Sequence, residues 1–164
     1  MTTAPGANCR PPCVAVRRLG SGDIAGMRAL NALYSEAFGE PEHYADLPPS
    51  DDWLLARLAD PAVIALVADD GGKVVGALTG YVLAKLEQAR SEIYIYDLAV
   101  SETHRRQGVA TALIDALQPI AREVGAWVIY VQAAHDDEPA VALYTKLGER
   151  EDVRHFDIKV KGAA

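Results

Sequence analysis

The hydrophobic pattern of the first third of the chain predicts one strand followed by two helices. A strand-like apolar run lies at 14–19, and apolar residues recur at helical spacing over 24–38 and 51–58. Ser21 or Asp23 can cap the first helical segment, Gly39 can end it, and Ser50 can start the second. The segment 40–49 between the helices has no period, so we expect a loop rich in acids and aromatics.

The middle of the chain predicts a β-hairpin and then another strand. Apolar runs at 63–68 and 73–83 flank a turn that contains Gly71 and Gly72, which is typical of a hairpin. The next run, 93–100, is apolar at both sets of alternating positions. We therefore expect a central strand that is buried on both faces.

The last third predicts a helix, a strand, a short helix and a final strand. These elements lie at 109–124, 127–132, 139–148 and 153–160, and Pro119 should kink the long helix or mark its more exposed side. The complete order, β-α-α-β-β-β-α-β-α-β, predicts a mixed α/β fold with one open sheet.

Composition is that of an ordinary globular domain. The 164 residues are 50% hydrophobic and 24% charged. No change in composition divides 13–164, which we expect to form a single domain after a disordered tail at 1–12. Because no apolar stretch could span a membrane and no segment is typical of a signal peptide, we expect no membrane partner and a cytoplasmic location.

Charge narrows the range of partners. The net charge of −7 argues against nucleic acid, which requires a basic surface. An acidic surface attracts a cationic small molecule, although the negative net charge could also serve solubility alone. Only Cys9 and Cys13 are available as thiols, too few for a disulfide framework or a zinc site, so we expect no metal.

A basic turn at 105–110 lies between the predicted central strand and the long helix. The first turn of a helix exposes unpaired N–H groups and the positive end of the helix dipole, which together bind phosphate. Gly108 allows the backbone to approach a ligand, whereas Arg105 and Arg106 would oppose the dipole without an anion. The pattern favours a phosphate-binding turn over a plain surface turn.

This turn and its surroundings resemble the GCN5-related N-acetyltransferases (GNAT). The family signature is Arg or Gln, two residues, Gly, one residue, then Gly or Ala, and Arg105, Gly108 and Ala110 fill it. The resemblance covers 14–160 in the family's order of elements. Further segments are similar to the type I aminoglycoside 3-N-acetyltransferases: 91–100, 128–133, 137–148 and 155–158.

The resemblance implies a reaction and a co-substrate. It implies acetyl transfer from acetyl-CoA to the 3-amino group of the 2-deoxystreptamine ring of a cationic aminoglycoside such as gentamicin, with resistance as the result, by a homodimer. Amides of the basic turn would hold the pyrophosphate, and the preceding strand would pair with the pantetheine arm. The residues expected to bind acetyl-CoA are Leu98, Ala99, Val100, Arg105, Arg106, Gln107, Gly108, Val109, Ala110 and Thr111.

Asp97 is the first candidate for a catalytic role. A carboxylate in an apolar strand loses hydration, which raises its pKa and suits it to take a proton from an ammonium group. A purely structural acid is equally consistent with the sequence. Regular alternation would place Asp97 with Ile93 and Ile95, away from Tyr94 and Tyr96. A bulge, which the family resemblance implies, would change that phase.

Tyr144 is the second catalytic candidate. The resemblance implies that its phenol protonates the departing CoA thiolate, but it could instead be a core residue, since it shares a helix face with Ala140, Leu143 and Leu147. We expect direct transfer in a ternary complex, in which the amine attacks the thioester carbonyl and a backbone N–H near Leu98 polarises that carbonyl.

Acidic loops supply a candidate pocket for the acceptor, although each acid alone could be solvated surface. The residues expected to bind substrate are Glu40, Glu42, Tyr96, Asp136, Asp137 and Glu138. Asp46 is a further acid in the first loop, and His135 is a spare base candidate. Two alternatives stay open: acetylation of another amine (polyamine, peptide N-terminus or lysine) and a non-catalytic acetyl-CoA-binding module.

Overall fold

The computed structural model describes residues 14–44 and 46–162, so the predicted tail at 1–12 lies outside the described residues. The chain divides after Gln132 into two compact units. Among the described residues, no helix is both long and apolar enough to cross a bilayer.

The first unit is built on a five-stranded sheet whose strands lie side by side in chain order. Strands β1 to β4 pair antiparallel, and β5 pairs parallel to β4. The elements are β1 (Ala15–Arg18), α1 (Ile24–Phe38), α2 (Pro41–Tyr44), α3 (Asp51–Leu58), β2 (Val63–Asp70), β3 (Lys73–Ala84), β4 (Ser91–Val100), one turn of 3₁₀ helix (Glu102–His104), α4 (Val109–Glu123) and β5 (Ala126–Val131).

Local polar residues set the ends of the first helices, as predicted. The Asp23 carboxylate accepts from the backbone N–H of Gly26 at 3.0 Å and caps α1. Gly39 ends α1 in the left-handed conformation, with φ +68°. The predicted loop at 40–49 differs in one respect, because it contains the four-residue helix α2, whose first position is Pro41.

The two faces of the sheet are covered by different helices. On one face, Leu30 and Tyr34 of α1 pack in a buried cluster with Ala77 of β3. On the other face, α4 lies so close to β3 that a methyl group added at Gly76 would be 2.7 Å from Val109 Cγ1. The start of α4 is therefore positioned by the absence of a side chain at Gly76.

Replacing Gly76 by alanine is expected to lower the free energy of unfolding by about 1–3 kcal/mol, because the new methyl group would push α4 away from β3. Urea denaturation measures the change. Gly20→Ala is the matched control, since nothing lies within 4 Å of a methyl group at that exposed position. Equal losses in the two variants would show that close packing at Gly76 is not the cause.

Strand β4 corrects one prediction. It lies inside the sheet, between β3 and β5, but it is not buried on both faces. Ile93 and Ile95 are buried, whereas Tyr94 and Asp97 are half-buried and Tyr96 is exposed. Apolar character at both sets of positions was misleading because tyrosine, with its polar hydroxyl, tolerates a solvated face. The open face becomes part of the candidate site.

Pro119 marks the exposed side of α4 rather than ending it. The helix is continuous over Val109–Glu123, and Pro119 faces solvent while Leu113 and Leu117 are fully buried. Solvent can satisfy the carbonyl that loses its hydrogen bond to the missing proline N–H.

The second unit contains α5 (Glu138–Leu147), which Asp137 caps by accepting from the N–H of Ala140 at 3.2 Å. The predicted last strand at 153–160 is wrong: no residue of 149–160 pairs with a strand among the described residues. Its alternating apolar side chains remain exposed, with Phe156 at 77% and Ile158 at 90%. Alternation selects a strand only where a neighbouring backbone supplies hydrogen bonds, and none does here.

Candidate active site

A β-bulge in β4 defines the candidate site. Thr79 of β3 pairs with Asp97, but the next residue, Gly80, pairs with Ile95, so Tyr96 is the extra residue. Paired residues share a face and adjacent residues do not, so Asp97 lies on the face opposite to Ile95. The bulge expected from the family resemblance is therefore present, and it turns Asp97 toward the α1 side of the sheet.

Two hydroxyl groups hold the Asp97 carboxylate. Tyr44 of α2 donates to Oδ1 at 3.0 Å, and Thr79 of β3 donates to Oδ2 at 3.0 Å. The Tyr34 hydroxyl donates to the backbone carbonyl of Asp97 at 3.3 Å. The rings of Tyr34 and Tyr44 meet edge to face, with centroids 5.6 Å apart. The carboxylate therefore has a fixed orientation, with one hydroxyl on each oxygen.

Burial raises the pKa of Asp97 above its ordinary value, and the negative charge of Glu40 acts in the same direction. The hydrogen bonds from Tyr44 and Thr79 stabilise the ionised form and lower the pKa, so they limit the rise. Burial also raises the pKa of the Tyr44 phenol, and the negative charge of Asp97 raises it further. The Asp97 carboxylate is therefore a stronger base than a solvated aspartate, which is the direction that general base catalysis requires.

Replacing Tyr44 by phenylalanine is expected to move the acid limb of the kcat/KM pH profile to higher pH, by about one unit for one lost hydrogen bond to a charged group. The sign follows because the lost bond stabilised the ionised carboxylate, so the pKa of Asp97 rises and more of it is protonated at a given pH. Thr79→Val removes the donor on the other oxygen and should act in the same direction. An acid limb that stays in place in both variants, or moves to lower pH, would contradict this assignment.

The sheet opens beside Asp97. Pairing between β4 and β5 ends at Ile95 and Val131, whereas β4 continues to Val100. Among the described residues, no strand pairs with 96–100 on the β5 side, so this length of β4 has an open edge there. An extended polyamide arm could add to this edge as a strand would, through Leu98, Ala99 and Val100.

The basic turn at 105–110 follows the 3₁₀ turn after β4 and has two left-handed residues. Arg106 has φ +60°, and Gly108, the residue before α4, has φ +84°. Arg106 is the one residue other than glycine with positive φ in the described part of the chain. Backbone strain of this kind is typical of a ligand-binding loop.

The start of α4 offers unpaired donors. Its first hydrogen bond runs from the N–H of Ala112 to the carbonyl of Gly108 at 2.9 Å, so the N–H groups of 109–111 have no partner within the helix. No side chain caps this end. Arg105 lies alongside and donates through Nε to the Val100 carbonyl at 3.3 Å. This donor set fits the pyrophosphate that the family resemblance implies.

A small polar network ties the turn to the neighbouring hairpin. Ser101 Oγ lies 2.9 Å from His104 Nδ1, and His104 Nε2 lies 3.2 Å from an oxygen of Asp70, in the β2–β3 hairpin. Gln107 donates through Nε2 to the Thr103 carbonyl at 2.8 Å. These contacts fix the loop that leads into α4, so the turn is positioned before any ligand binds.

The expected substrate-binding residues fall into two groups. Glu42 is exposed in α2, Glu40 is exposed just before it at 3.1 Å from His43 Nδ1, and Tyr96 is exposed at the bulge. Three residues belong to the second unit, where Asp136 is exposed, Asp137 caps α5 and Glu138 is its first residue. Because Asp137 caps α5, it has a structural role in addition to the expected role in substrate binding.

Tyr144 lies in α5 of the second unit and is half-buried. Burial raises the pKa of Tyr144 to about 12, with a smaller contribution from the charge of Asp137. The phenol therefore keeps its proton at neutral pH, as a proton donor must.

Sequence reasoning missed the two groups that hold Asp97. Tyr44 lies in a segment without hydrophobic period, and Thr79 lies in the middle of an apolar strand. A lone threonine in such a strand was the available signal, because a buried hydroxyl requires a partner. Pairing it with Asp97 required the register of two strands.

Residues 27–148 match the acetyltransferase (GNAT) family, so the chain belongs to this family. The fold class and the family expected from the sequence are thereby confirmed. Enzymes of this family use acetyl-CoA. The helix start, the strained turn and the open edge of β4 are consistent with that co-substrate.

The solved structures similar to this chain include two aminoglycoside acetyltransferases from uncultured soil metagenomic samples. HMB0005 is 49% identical, with a TM-score of 0.88, and the match covers 90% of this chain and 99% of that chain. The enzyme meta-AAC0020, solved in complex with sisomicin, is 30% identical, with a TM-score of 0.82 and coverage of 90% and 97%.

Curated relatives include acetyltransferases for other amines. The catalytic subunit NAA10 of the N-terminal acetyltransferase A complex of Arabidopsis thaliana is 32% identical over 136 residues, which are 81% of this chain and 64% of that protein. The L-2,4-diaminobutyric acid acetyltransferase of Streptomyces coelicolor is 32% identical over 110 residues, 66% of this chain and 63% of that protein. The chain spans less than two thirds of the length of either relative.

Proposed function

We propose that this acetyltransferase modifies the 3-amino group of the 2-deoxystreptamine ring of aminoglycosides such as gentamicin, and so confers resistance to them. The observation that carries the proposal is the Asp97 carboxylate, which the hydroxyls of Tyr44 and Thr79 hold on the partly open face of β4. The similarity to HMB0005 and to the sisomicin-bound meta-AAC0020 supports an aminoglycoside as acceptor.

Asp97 removes the proton that keeps the acceptor amine charged. At neutral pH an amino group is mostly an ammonium ion, which is not nucleophilic, so a base must act before the amine can attack. The raised pKa of Asp97 makes its carboxylate a stronger base than a solvated aspartate. Tyr44 and Thr79 keep the carboxylate oriented while it takes the proton.

The chain binds and orients the donor through its backbone. Acetyl-CoA supplies the acetyl group as an activated thioester. Residues 105–111 would hold its pyrophosphate through helix N–H groups, and Leu98 and Val100 would hold the pantetheine arm along the open edge of β4. The backbone N–H near Leu98 would polarise the thioester carbonyl. As the C–S bond breaks, Tyr144 would donate its proton to the departing sulfur, and the second proton that the nitrogen loses on forming the amide would restore the phenol.

Transfer takes place directly between the two bound substrates. No side chain of the enzyme carries the acetyl group in this scheme. Intact-protein mass spectrometry after incubation with acetyl-CoA alone should therefore find the unmodified mass, and an acetylated enzyme competent to pass its acetyl group to gentamicin would overturn direct transfer.

The acceptor site is proposed to be acidic. The residues proposed to offer polar groups to the ammonium and hydroxyl groups of the aminosugar are Glu40, Glu42, Tyr96, Asp136, Asp137 and Glu138. The net charge of −7 would attract a polycation to this surface.

Initial rates of CoA release test the acceptor class. Gentamicin and sisomicin should be turned over with kcat/KM at least tenfold above a peptide with a free N-terminus or a polyamine. The second candidate, a peptide N-terminus, is favoured by the similarity to NAA10. A reversed preference would support that candidate and exclude the aminoglycoside proposal.

Three further expectations remain proposals: a homodimer, a cytoplasmic location and a single domain over 13–164. Sedimentation equilibrium of the full chain measures the first. The result expected is twice the mass of the 17.6 kDa chain.

A further inference from the structure

Four tyrosines gather on the face of the sheet that carries Asp97. Tyr81 of β3 pairs with Tyr94 of β4, and Tyr94 pairs with Tyr130 of β5, so three adjacent strands each contribute one ring to a row. Tyr81 lies two residues from Thr79, which pairs with Asp97, so the row shares their face. The extra residue of the bulge, Tyr96, adds a fourth ring.

The rings contact one another in a continuous layer. Tyr94 stacks on Tyr130 with centroids 5.0 Å apart, and Tyr96 meets the edges of both Tyr94 and Tyr81 at 5.8 Å. Mutual contacts of this kind limit the rotation of each ring. The layer is therefore a preorganised surface and not a set of independent side chains.

This aromatic layer is open to solvent. The exposed fraction of the side chain is 61% for Tyr96, 40% for Tyr81 and 37% for Tyr130. Contiguous exposed aromatic area is typical of a binding surface. Its position next to a carboxylate also selects the charge of the ligand, because ring faces and a carboxylate both attract cations.

The charge of Asp97 acts on two of these rings. Burial raises the pKa of the Tyr81 phenol, and the charge of Asp97 raises it further. For the Tyr94 phenol, burial and the neighbouring tyrosines come first, and Asp97 again contributes. These phenols keep their protons at physiological pH, so the layer presents uncharged rings beside the Asp97 carboxylate. The positive charge of Arg57 acts on Tyr81 in the opposite direction and lowers its pKa by a smaller amount.

We infer that Tyr81, Tyr94 and Tyr96 form an aromatic platform for the acceptor, which holds the apolar face of an amine-bearing saturated ring and one of its ammonium groups while the reacting amine faces Asp97. The inference rests on the proposed function, because it supplies a subsite for the same substrate. A polycationic aminocyclitol has both features that the platform requires, an apolar ring face and several ammonium groups. A flexible polyamine has only the second.

Tyr81 is the residue to change, because it is partly exposed and is not expected to touch the acetyl-CoA site. Tyr81→Leu removes the ring, and Tyr81→Phe keeps the ring and removes only the hydroxyl. We expect the leucine variant to raise the KM for gentamicin about tenfold, with kcat and the KM for acetyl-CoA within about twofold. The phenylalanine variant should leave all three constants within about twofold.

Trp127→Leu is the matched control. Trp127 is an exposed aromatic residue of β5, but Arg90 covers its ring at 4.4 Å and its indole N–H donates to Glu92 at 3.2 Å. This variant should leave the KM for gentamicin unchanged. An unchanged KM in Tyr81→Leu, or an equal rise in Tyr81→Phe, would overturn the platform.

Calorimetric titration with gentamicin, without acetyl-CoA, separates this inference from the proposed function. If the wild type binds gentamicin without acetylating it and Tyr81→Leu binds about tenfold more weakly, the platform stands and the proposed function fails. If the wild type acetylates gentamicin and Tyr81→Leu binds it equally well, only the platform fails. If the wild type neither binds nor acetylates gentamicin, both fail.

Discussion

Replacing Asp97 by asparagine is expected to lower kcat for an aminoglycoside about 10²- to 10⁴-fold, the contribution typical of general base catalysis. Asparagine has nearly the same shape, and hydroxyl groups can donate to its oxygen or accept from its amide, so the contacts with Tyr44 and Thr79 can be kept. Only the ability to take a proton is removed. Steady-state rates of CoA release measure the effect.

Stability should separate the catalytic role of Asp97 from a structural one. The folded-state pKa of Asp97 is raised, so its contribution to stability is largest below its unfolded pKa and is lost as pH rises through the folded value. At pH 7 the charge of Asp97 therefore does not stabilise the fold. The free energy of unfolding of Asp97→Asn should lie within about 1 kcal/mol of the wild-type value.

Asp115→Asn is the control for the loss of one negative charge, because Asp115 is exposed on α4. It should retain wild-type kcat. An Asp97→Asn variant that is folded and retains wild-type kcat would remove Asp97 from the catalytic role.

Replacing Gly108 by valine is expected to weaken acetyl-CoA binding at least about tenfold. Valine at φ +84° is strained by about 1–3 kcal/mol, and the backbone can relieve that strain only by moving the turn that we propose as the pyrophosphate site. The dissociation constant for CoA, measured by calorimetry, reports the change directly.

Gly125→Val is a matched control at the other end of α4. Gly125 also has positive φ, +64°, and nothing lies within 4 Å of a methyl group added there. Both variants should lose similar stability in urea, but only Gly108→Val should lose CoA affinity. Equal CoA affinities in the two variants would show that the turn does not hold the pyrophosphate.

Features set by local sequence were predictable. Asp23, Ser50 and Gly39 act on backbone groups within one helical turn, so their residue types alone indicated the helix ends. The glycine pair of the β2–β3 turn has positive φ at both Gly71 and Gly72, as a tight hairpin requires. The basic turn before α4 was equally visible, because its two arginines and its glycine stand immediately before the helical pattern.

Features set by pairing between distant segments were not predictable. The face on which Asp97 lies depends on a bulge that the family resemblance implied but that hydrophobic alternation could not show. Its partners Tyr44 and Thr79 lie 53 and 18 residues away in sequence. The aromatic platform depends on the same register, since Tyr81, Tyr94 and Tyr130 are separate in the chain. The sequence could suggest a catalytic role for Asp97, but it could not show which side chains surround its carboxylate.

The segment 153–160 shows the converse error. Its alternation is that of a strand, yet the described residues provide no backbone partner for it. Alternating side chains indicate which face of a strand would be buried. They do not provide the backbone hydrogen bonds that a strand needs from a neighbouring segment.

The most direct test of the central claim is the position of the acetyl group on the product. Gentamicin is incubated with acetyl-CoA and the full chain, and the product is analysed by two-dimensional NMR. The account predicts a single acetyl group on the 3-amino nitrogen of the 2-deoxystreptamine ring. Acetylation at another nitrogen, or recovery of unmodified gentamicin from an enzyme that acetylates another amine, would contradict it.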